Sequence, residues 1–362
     1  MTRKSNSQYI TFQVLPSVPS SSHIQNKQER NTKKKRMSIV TQELLEGIYQ
    51  GPPKSTCSNK ENELINYQGF WIYGSFLARI LLFQRDFNAR DTDLIITGLP
   101  KTGTTWLKSL LFTIVNRAIY PINQNPLLKN HPQELVYNLE NDIYGEAFAY
   151  PRPQHLDELP SPRLLSTHLP YASLPESIRT SNCRLLYICR NPLDALTSQF
   201  HFDTSFFKNS KIKEPPRFED LFDEFCEGKN LYGPFFGHVL TYWKMSIEQP
   251  DKVLFLKYED LKDDPRVHLR RVAEFIGMPF TPLEESQGVI DRIIDFCSIG
   301  NIKELEVNKS GVINKFFEKK SYFRKGEVGE WRNHFTPTMA EKMTGLIEEK
   351  LQGTGLSFKL IP

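Results

Sequence analysis

One stretch constrains this chain more than any other: Gly98-Leu99-Pro100-Lys101-Thr102-Gly103-Thr104-Thr105-Trp106. It is entered from Leu94-Ile95-Ile96, a short apolar run bounded by Asp93 and Thr97 that reads as a buried strand. It leaves into Leu107, Leu110, Leu111, Ile114 and Val115, spaced i, i+3, i+4, i+7, i+8 as one apolar helix face. Strand, glycine-bearing loop and helix together turn backbone N–H groups and a helix N-terminus toward an anion. Gly103 would let the backbone approach a ligand closely, Lys101 would add a point charge, and Thr102, Thr104 and Thr105 would offer hydroxyls. The same residues also describe an ordinary strand-to-helix turn with its lysine in solvent.

The phosphate loop of nucleotide hydrolases places Gly-Lys-Ser/Thr together at the helix start. Here the lysine precedes the glycine by two residues, so any phosphate loop is of another kind. The chain of 362 residues with 39% hydrophobic content can bury a sizeable core. Its formal charge of +4 is misleading, because residues 1–40 carry eight Lys/Arg against Glu29 alone, leaving a net negative remainder. That balance gives no support to nucleic-acid binding. The tail, with Lys33-Lys34-Lys35-Arg36, is expected to be disordered and solvated, a nuclear-import cluster or a transit peptide being the alternatives. A single catalytic domain is expected over 41–362. No apolar run approaches the ~20 residues that span a bilayer, and no secretory signal is evident. Five scattered cysteines without C-x-x-C or zinc-like spacing read as free thiols, which fits a cytoplasmic protein.

Leu44, Leu45, Ile48 and Tyr49 suggest a short helix before Gly51-Pro52-Pro53, and residues 76–83 a second. Residues 121–162 are proline-dotted and aromatic, a lid, a binding loop or a surface connection. Three further apolar runs each end at a polar residue. Leu164–Thr167 runs into His168, Leu185–Cys189 into Arg190, and Val253–Lys257 into Tyr258. Helices are expected over Phe218–Cys226, Phe235–Ile247 and His268–Ile276. Buried runs alternating with helices imply an α/β fold whose central parallel sheet is flanked by helices. Because ligands collect at the carboxyl ends of such strands, the glycine loop, His168, Arg190 and Tyr258 are expected at one edge.

Lys-Thr-Gly-Thr-Thr-Trp-Leu resembles the 5′-phosphosulfate loop of the cytosolic sulfotransferases, whose fold is phosphate-loop-like. Arg190-Asn191-Pro192 with Ser198 eight residues on, and Phe323-Arg324-Lys325-Gly326 through Gly329-Glu330-Trp331, resemble that family's other two motifs in order. The resemblance covers about residues 60–355. It implies transfer of a sulfuryl group from 3′-phosphoadenosine 5′-phosphosulfate (PAPS) to the hydroxyl of a small acceptor, without a metal. It also implies that Lys101, Thr102, Gly103, Thr104, Thr105 and Trp106 hold the donor with Arg190, Ser198, Tyr258, Arg324, Lys325 and Gly326. Thr167-His168-Leu169-Pro170 resembles the family's catalytic Thr-His-x-Pro, which makes His168 the general base, with Lys101 stabilising the leaving phosphate. Cys297-Ser298-Ile299 falls where the family places an adenine-contacting segment, Ser298 being the matching residue. Phe202, Tyr144 and Phe148 are expected to line the acceptor pocket.

Two departures stand out. Ser166 replaces the lysine that many animal members carry two residues before the histidine, as in plant members. Residues 332–341 resemble the family's dimer motif but carry Arg332 for Lys and Pro337 for Val, so a monomer or weak homodimer is expected. The style resembles plant members acting on flavonols, hydroxyjasmonate, brassinosteroids or desulfoglucosinolates. The alternatives are an ATP-dependent small-molecule kinase on the same strand, loop and helix, or a catalytically silent PAPS-binding homologue.

Overall fold

The computed structural model describes residues 54–55, 64–145, 156–209, 215–313 and 317–360. The basic tail, the helix expected near Leu44, Cys57, Phe148 and Tyr150 lie outside the described residues. The chain divides into two compact units, residues 1–50 with 153–161, and residues 51–152 with 162–362. The described part of the first is 156–161, with a 3-10 turn at Leu156–Glu158. Everything below concerns the second unit.

Its centre is a five-stranded sheet of β1 (Leu94–Thr97), β2 (Tyr137–Asn138), β3 (Leu164–Thr167), β4 (Arg184–Cys189) and β5 (Val253–Lys257), in the order β2-β3-β1-β4-β5. All four pairings are parallel. Every residue of β1 is buried, as are all but the ends of β4 and β5, which is why these strands read as continuous apolar runs rather than alternating ones. Four of the five strands were legible that way. The two-residue edge strand β2 was not, because its Tyr-Asn carries no strand pattern of its own.

Helices cover the sheet: α1 (Leu77–Asp86), α2 (Thr104–Asn116), α3 (Pro192–Asn209), α4 (Phe218–Cys226), α5 (Phe235–Glu248), α6 (Pro265–Phe275) and α7 (Pro337–Leu351). The apolar face read on α2 is real, since Leu107, Leu110, Leu111 and Ile114 are at most 2% exposed. They pack with Leu94, Ile96, Leu186, Ile188 and Leu254 of the sheet in one core. Asp264 caps α6 by accepting from Val267 N, and Pro265 occupies its first turn, where a missing N–H costs nothing. Asp93 and Arg163, one residue ahead of β1 and β3, form a fully buried bidentate pair, with Nε to Oδ1 at 2.7 Å. Cys183, Cys189, Cys226 and Cys297 are free thiols. No helix among the described residues is long and apolar enough to cross a membrane.

The proline-dotted stretch is neither all lid nor all connection. Short helical turns at Ile122–Gln124, Pro126–Leu128 and Pro132–Leu135 lead into β2 and a π-helical turn at Leu139–Ile143.

Candidate functional site

Strand register decides which residues meet. Thr97 aligns with Thr167, so Gly98 and His168 leave the sheet side by side. Cys189 aligns with Lys257, which sets Arg190 beside Tyr258. Since the strands are parallel, all four residues emerge at the same edge, as the sequence pattern implied.

The glycine loop is held open by conformations few residues adopt. Gly98 has φ +153°, and a Cβ there would lie 2.5 Å from Ile188 O. Gly103, at φ +108°, caps α2, and a Cβ would press to 2.7 Å of the Tyr258 ring. Between them Lys101 is itself left-handed, at φ +67°. Its amine lies 3.8 Å over the Phe202 ring. Burial drags the Lys101 pKa down to about 7; Asp203 opposes the fall, while Arg324 and Arg190 add to it. Thr104, Thr105 and Trp106 line the cavity above the loop. Thr102 does not: its hydroxyl is buried against Leu99 O (2.7 Å) and Ile188 O (2.9 Å), so only its backbone faces the loop's task.

A second cationic group stands along the same cavity. Arg190 is 4% exposed, its guanidinium sits 4.5 Å over the Tyr258 ring, and one Nη2 proton goes to Glu327 O. Its Nε is buried without an acceptor among the described residues. Ser198, two turns into α3, lines the cavity with Arg324 and Gly326. Gly326 has φ +68°, and a Cβ there would collide with Ile299. Tyr258 donates its hydroxyl to Gly326 O at 2.9 Å. Lys325 does not line the cavity; it is exposed and pairs with Glu330 at 3.2 Å, which also engages Arg324. Ser298 likewise spends its hydroxyl as a helix cap, accepting from Asn301 N, while Trp106 Nε1 donates to Cys297 O at 3.0 Å and Ile299 lines the cavity.

His168 lines the same cavity. Its Nδ1 is 2.6 Å from Gly98 O. A carbonyl can only accept, so Nδ1 carries the proton, and Nε2 of the neutral ring keeps its lone pair. Burial holds the His168 pKa below the ordinary 6.5, outweighing the Glu140 carboxylate and the Gly98 bond, which favour the charged form. Glu140 accepts the His168 backbone N–H at 2.7 Å. Within the core, Tyr187 OH meets His238 Nδ1 at 3.0 Å, and His238 Nε2 meets His168 O at 3.1 Å. The second contact requires Nε2–H, so Tyr187 is the donor of the first. The backbone N–H and C=O of His168 are therefore both held.

Together these residues line one cavity of about 720 Å³. Much of its wall is aromatic. Phe202, expected there, stacks on Phe317 with centroids 4.8 Å apart and meets Tyr322 edge-on. Tyr144 is not part of the cavity lining; its ring packs on the buried Phe83, 5.5 Å between centroids. Phe317 and Tyr322 went unread because they lie over a hundred residues from Phe202 in a segment with no motif.

Asp194 also escaped its full role. It is 3.8 Å from Arg190, and its oxygens accept from Gly329 N (2.8 Å) and Trp331 N (3.1 Å). Glu259 holds the neighbouring Asn191 through its backbone and side-chain nitrogens, both at 2.9 Å. Among the described residues, His201, Glu330 and His334 bring ligand atoms within 4.8 Å of one another, a grouping no sequence spacing announces. Glu330 there already faces Arg324 and Lys325.

Comparison with known proteins agrees with this geometry. The sulfotransferase domain family matches residues 91–355. Cytosolic sulfotransferase 5 of Arabidopsis thaliana is 44% identical over 297 residues, covering 82% of this chain and 90% of the relative. Flavonol 3-sulfotransferase of Flaveria bidentis is 43% identical over 321 residues, 87% of this chain and 100% of the relative. The crystal structure of an Arabidopsis thaliana sulphotransferase superposes with TM-score 0.69 at 33% identity, over 95% of this chain and 100% of that one. A parallel sheet delivering the glycine loop, Arg190 and Tyr258 to one edge, and relatives this similar along nearly their whole length, have one explanation: the chain belongs to the sulfotransferase domain family and is a plant-type sulfotransferase.

Proposed function

We propose that this enzyme transfers the sulfuryl group of PAPS to a hydroxyl of a small acceptor, with His168 as general base. The observation that carries the reading is the single cavity that His168, Lys101, Arg190, Ser198 and Arg324 line together. Two anionic ends of one donor are accommodated there, the 5′-phosphosulfate at Lys101 and the first N–H groups of α2, the 3′-phosphate at Arg190, Ser198, Arg324 and Gly326. The unsatisfied Nε of Arg190, buried at the cavity wall, supports that fit. Lys325, exposed and turned to Glu330, reaches the phosphate only by moving.

PAPS when bound supplies the sulfuryl group, and adenosine 3′,5′-bisphosphate is what leaves. Nε2 of His168 takes the acceptor's hydroxyl proton as that oxygen bonds to sulfur and the sulfur–phosphate oxygen bond breaks. Lys101 and the loop N–H groups meet the charge that collects on the departing phosphate. Phe202 and its aromatic neighbours hold the acceptor's ring, which favours flavonoid, steroid, hydroxyjasmonate or similar acceptors. The reading places the enzyme in the cytosol as a monomer or weak homodimer, with no nucleic-acid or membrane partner and no metal.

The test is a donor panel, PAPS against ATP, with phenolic, steroidal and oxime acceptors and with chelator present. Turnover is expected with PAPS alone. His168→Ala is expected to lose on the order of 10²–10⁴-fold in turnover while still binding the bisphosphate. Turnover with ATP, a divalent-cation requirement, or no transfer to any acceptor overturns the reading.

A further inference from the structure

α3 carries more than the residues its motif announces. Ser198 faces the phosphate side, and five residues on, about 7.5 Å along the helix, Asp203 lines the same cavity. Asp203 also lines a side pocket of about 80 Å³ that shares Tyr73, Pro100, Gln199 and Leu231 with the main cavity, so it marks the opening between the two. The side pocket is otherwise walled largely by apolar groups such as Leu99, Leu196 and Phe207.

A carboxylate in such a place is costly unless something answers it. Oδ1 accepts from Gln199 Nε2 at 2.7 Å. No described residue donates to Oδ2, and no ion pair joins Asp203 to Lys101, whose amine is stacked on Phe202 instead. The neighbouring surfaces are aromatic: Phe202 and Phe206 both pack on Phe317, at 4.8 and 5.1 Å between centroids. Burial raises the Asp203 pKa to about 7, against the pull of Gln199 and Lys101. The group is thus an acceptor with spare capacity, facing the space where an acceptor's ring would lie, and neither the fold nor the donor site uses it.

We propose that Asp203 determines acceptor specificity, by accepting a hydrogen bond from a second donor group, hydroxyl or ammonium, on an aromatic acceptor whose phenol is sulfated at His168. The inference rests on the sulfuryl-transfer reading above. It narrows the substrate class to acceptors with two separated polar groups on an apolar frame.

Three phenols with one skeleton isolate the effect: 4-ethylphenol, its terminal alcohol 4-(2-hydroxyethyl)phenol, and its amine tyramine. Each is measured for kcat/KM with PAPS, and for affinity by calorimetry with adenosine 3′,5′-bisphosphate bound. The wild-type enzyme is expected to prefer the alcohol or the amine over 4-ethylphenol by about tenfold, the worth of a hydrogen bond to a charged group. Asp203→Leu is expected to erase that preference with bisphosphate affinity intact. Asp203→Asn keeps an accepting oxygen without the charge, so it is expected to retain preference for the alcohol and lose any for the amine. Equal treatment of the three phenols by the wild type overturns the proposal, as does a preference unchanged in Asp203→Leu. If Asp203→Leu loses bisphosphate affinity, Asp203→Ala, which removes both accepting oxygens without adding bulk, decides in its place: the proposal falls if that variant ranks the phenols as the wild type does. Because the affinities need no turnover, binding preference without transfer would sink the sulfuryl-transfer reading, whereas transfer without preference would sink this one.

Discussion

Lys101 is asked to be a cation in a place that discourages one. Burial and the nearby Arg190 and Arg324 bring its pKa to about 7, so at pH 8 most of it is neutral in the free protein. A phosphate beside the amine, and others neutralising the two arginines, would reverse that balance and favour the charged form. Binding of adenosine 3′,5′-bisphosphate at pH 8 is therefore expected to take up a proton. Calorimetry in two buffers of different ionisation enthalpy reads that uptake directly, and Lys101→Met is expected to abolish most of it. His168 shows the opposite economy. Its pKa is lowered, so the neutral form that can accept a proton persists to pH values below the ordinary 6.5, and turnover is expected to hold there before falling. Both residues were legible in the sequence because each ends a buried strand or follows one within a glycine-bearing loop. Their shifted pKa values were not, since these come from burial under Phe202, Tyr322 and Tyr232, residues contributed from other parts of the chain.

Between elements, Asp194 is the joint. From the first turn of α3 it receives the N–H groups of Gly329 and Trp331, 135 and 137 residues away, and so fixes the Arg324–Gly326 loop against Arg190. Removing it leaves two partly buried donors without their acceptor, at about 1 kcal/mol each. Asp194→Ala is accordingly expected to weaken bisphosphate binding by on the order of tenfold or more. His168→Ala, by contrast, is expected to leave that affinity nearly unchanged, and titration of both variants with bisphosphate separates the two roles. Sequence reading stopped at Arg190 and Ser198 and missed this role of Asp194, because the backbone N–H groups it accepts from carry no residue signature. The same blindness applies to β2, whose strand character is conferred by its neighbour β3 rather than by Tyr137-Asn138. It applies also to Thr102, whose hydroxyl looks like a ligand donor until Leu99 O and Ile188 O are seen to engage it.

At the scale of the whole molecule, residues 329–341 have little backbone left to offer a second copy. Arg332, His334 and Phe335 donate their N–H groups to Gly329 and Trp331, and Thr336 accepts from Met339 N as the cap of α7. Pro337 begins that helix, where it needs no donor. The chain is expected to sediment as a monomer of about 42 kDa (42.1 kDa from its composition) at micromolar concentration. A dimer persisting at that concentration would contradict the expectation. The α/β architecture and the shared strand edge were legible because buried parallel strands announce themselves as apolar runs. The aromatic wall of the cavity was not, because Phe202, Phe317 and Tyr322 become neighbours only through packing.

The Asp194 joint also bears on how the protein comes into being. A ribosome releases Lys101, His168 and Arg190 long before Gly329 and Trp331, and until those last N–H groups arrive Asp194 has nothing to hold. The strands of the sheet, the last of them ending at Lys257, leave the ribosome well before those two donors do. On the proposed reading, a chain whose translation stops ahead of residue 329 would carry His168 and the glycine loop without the Asp194 joint, and is expected to bind the nucleotide poorly.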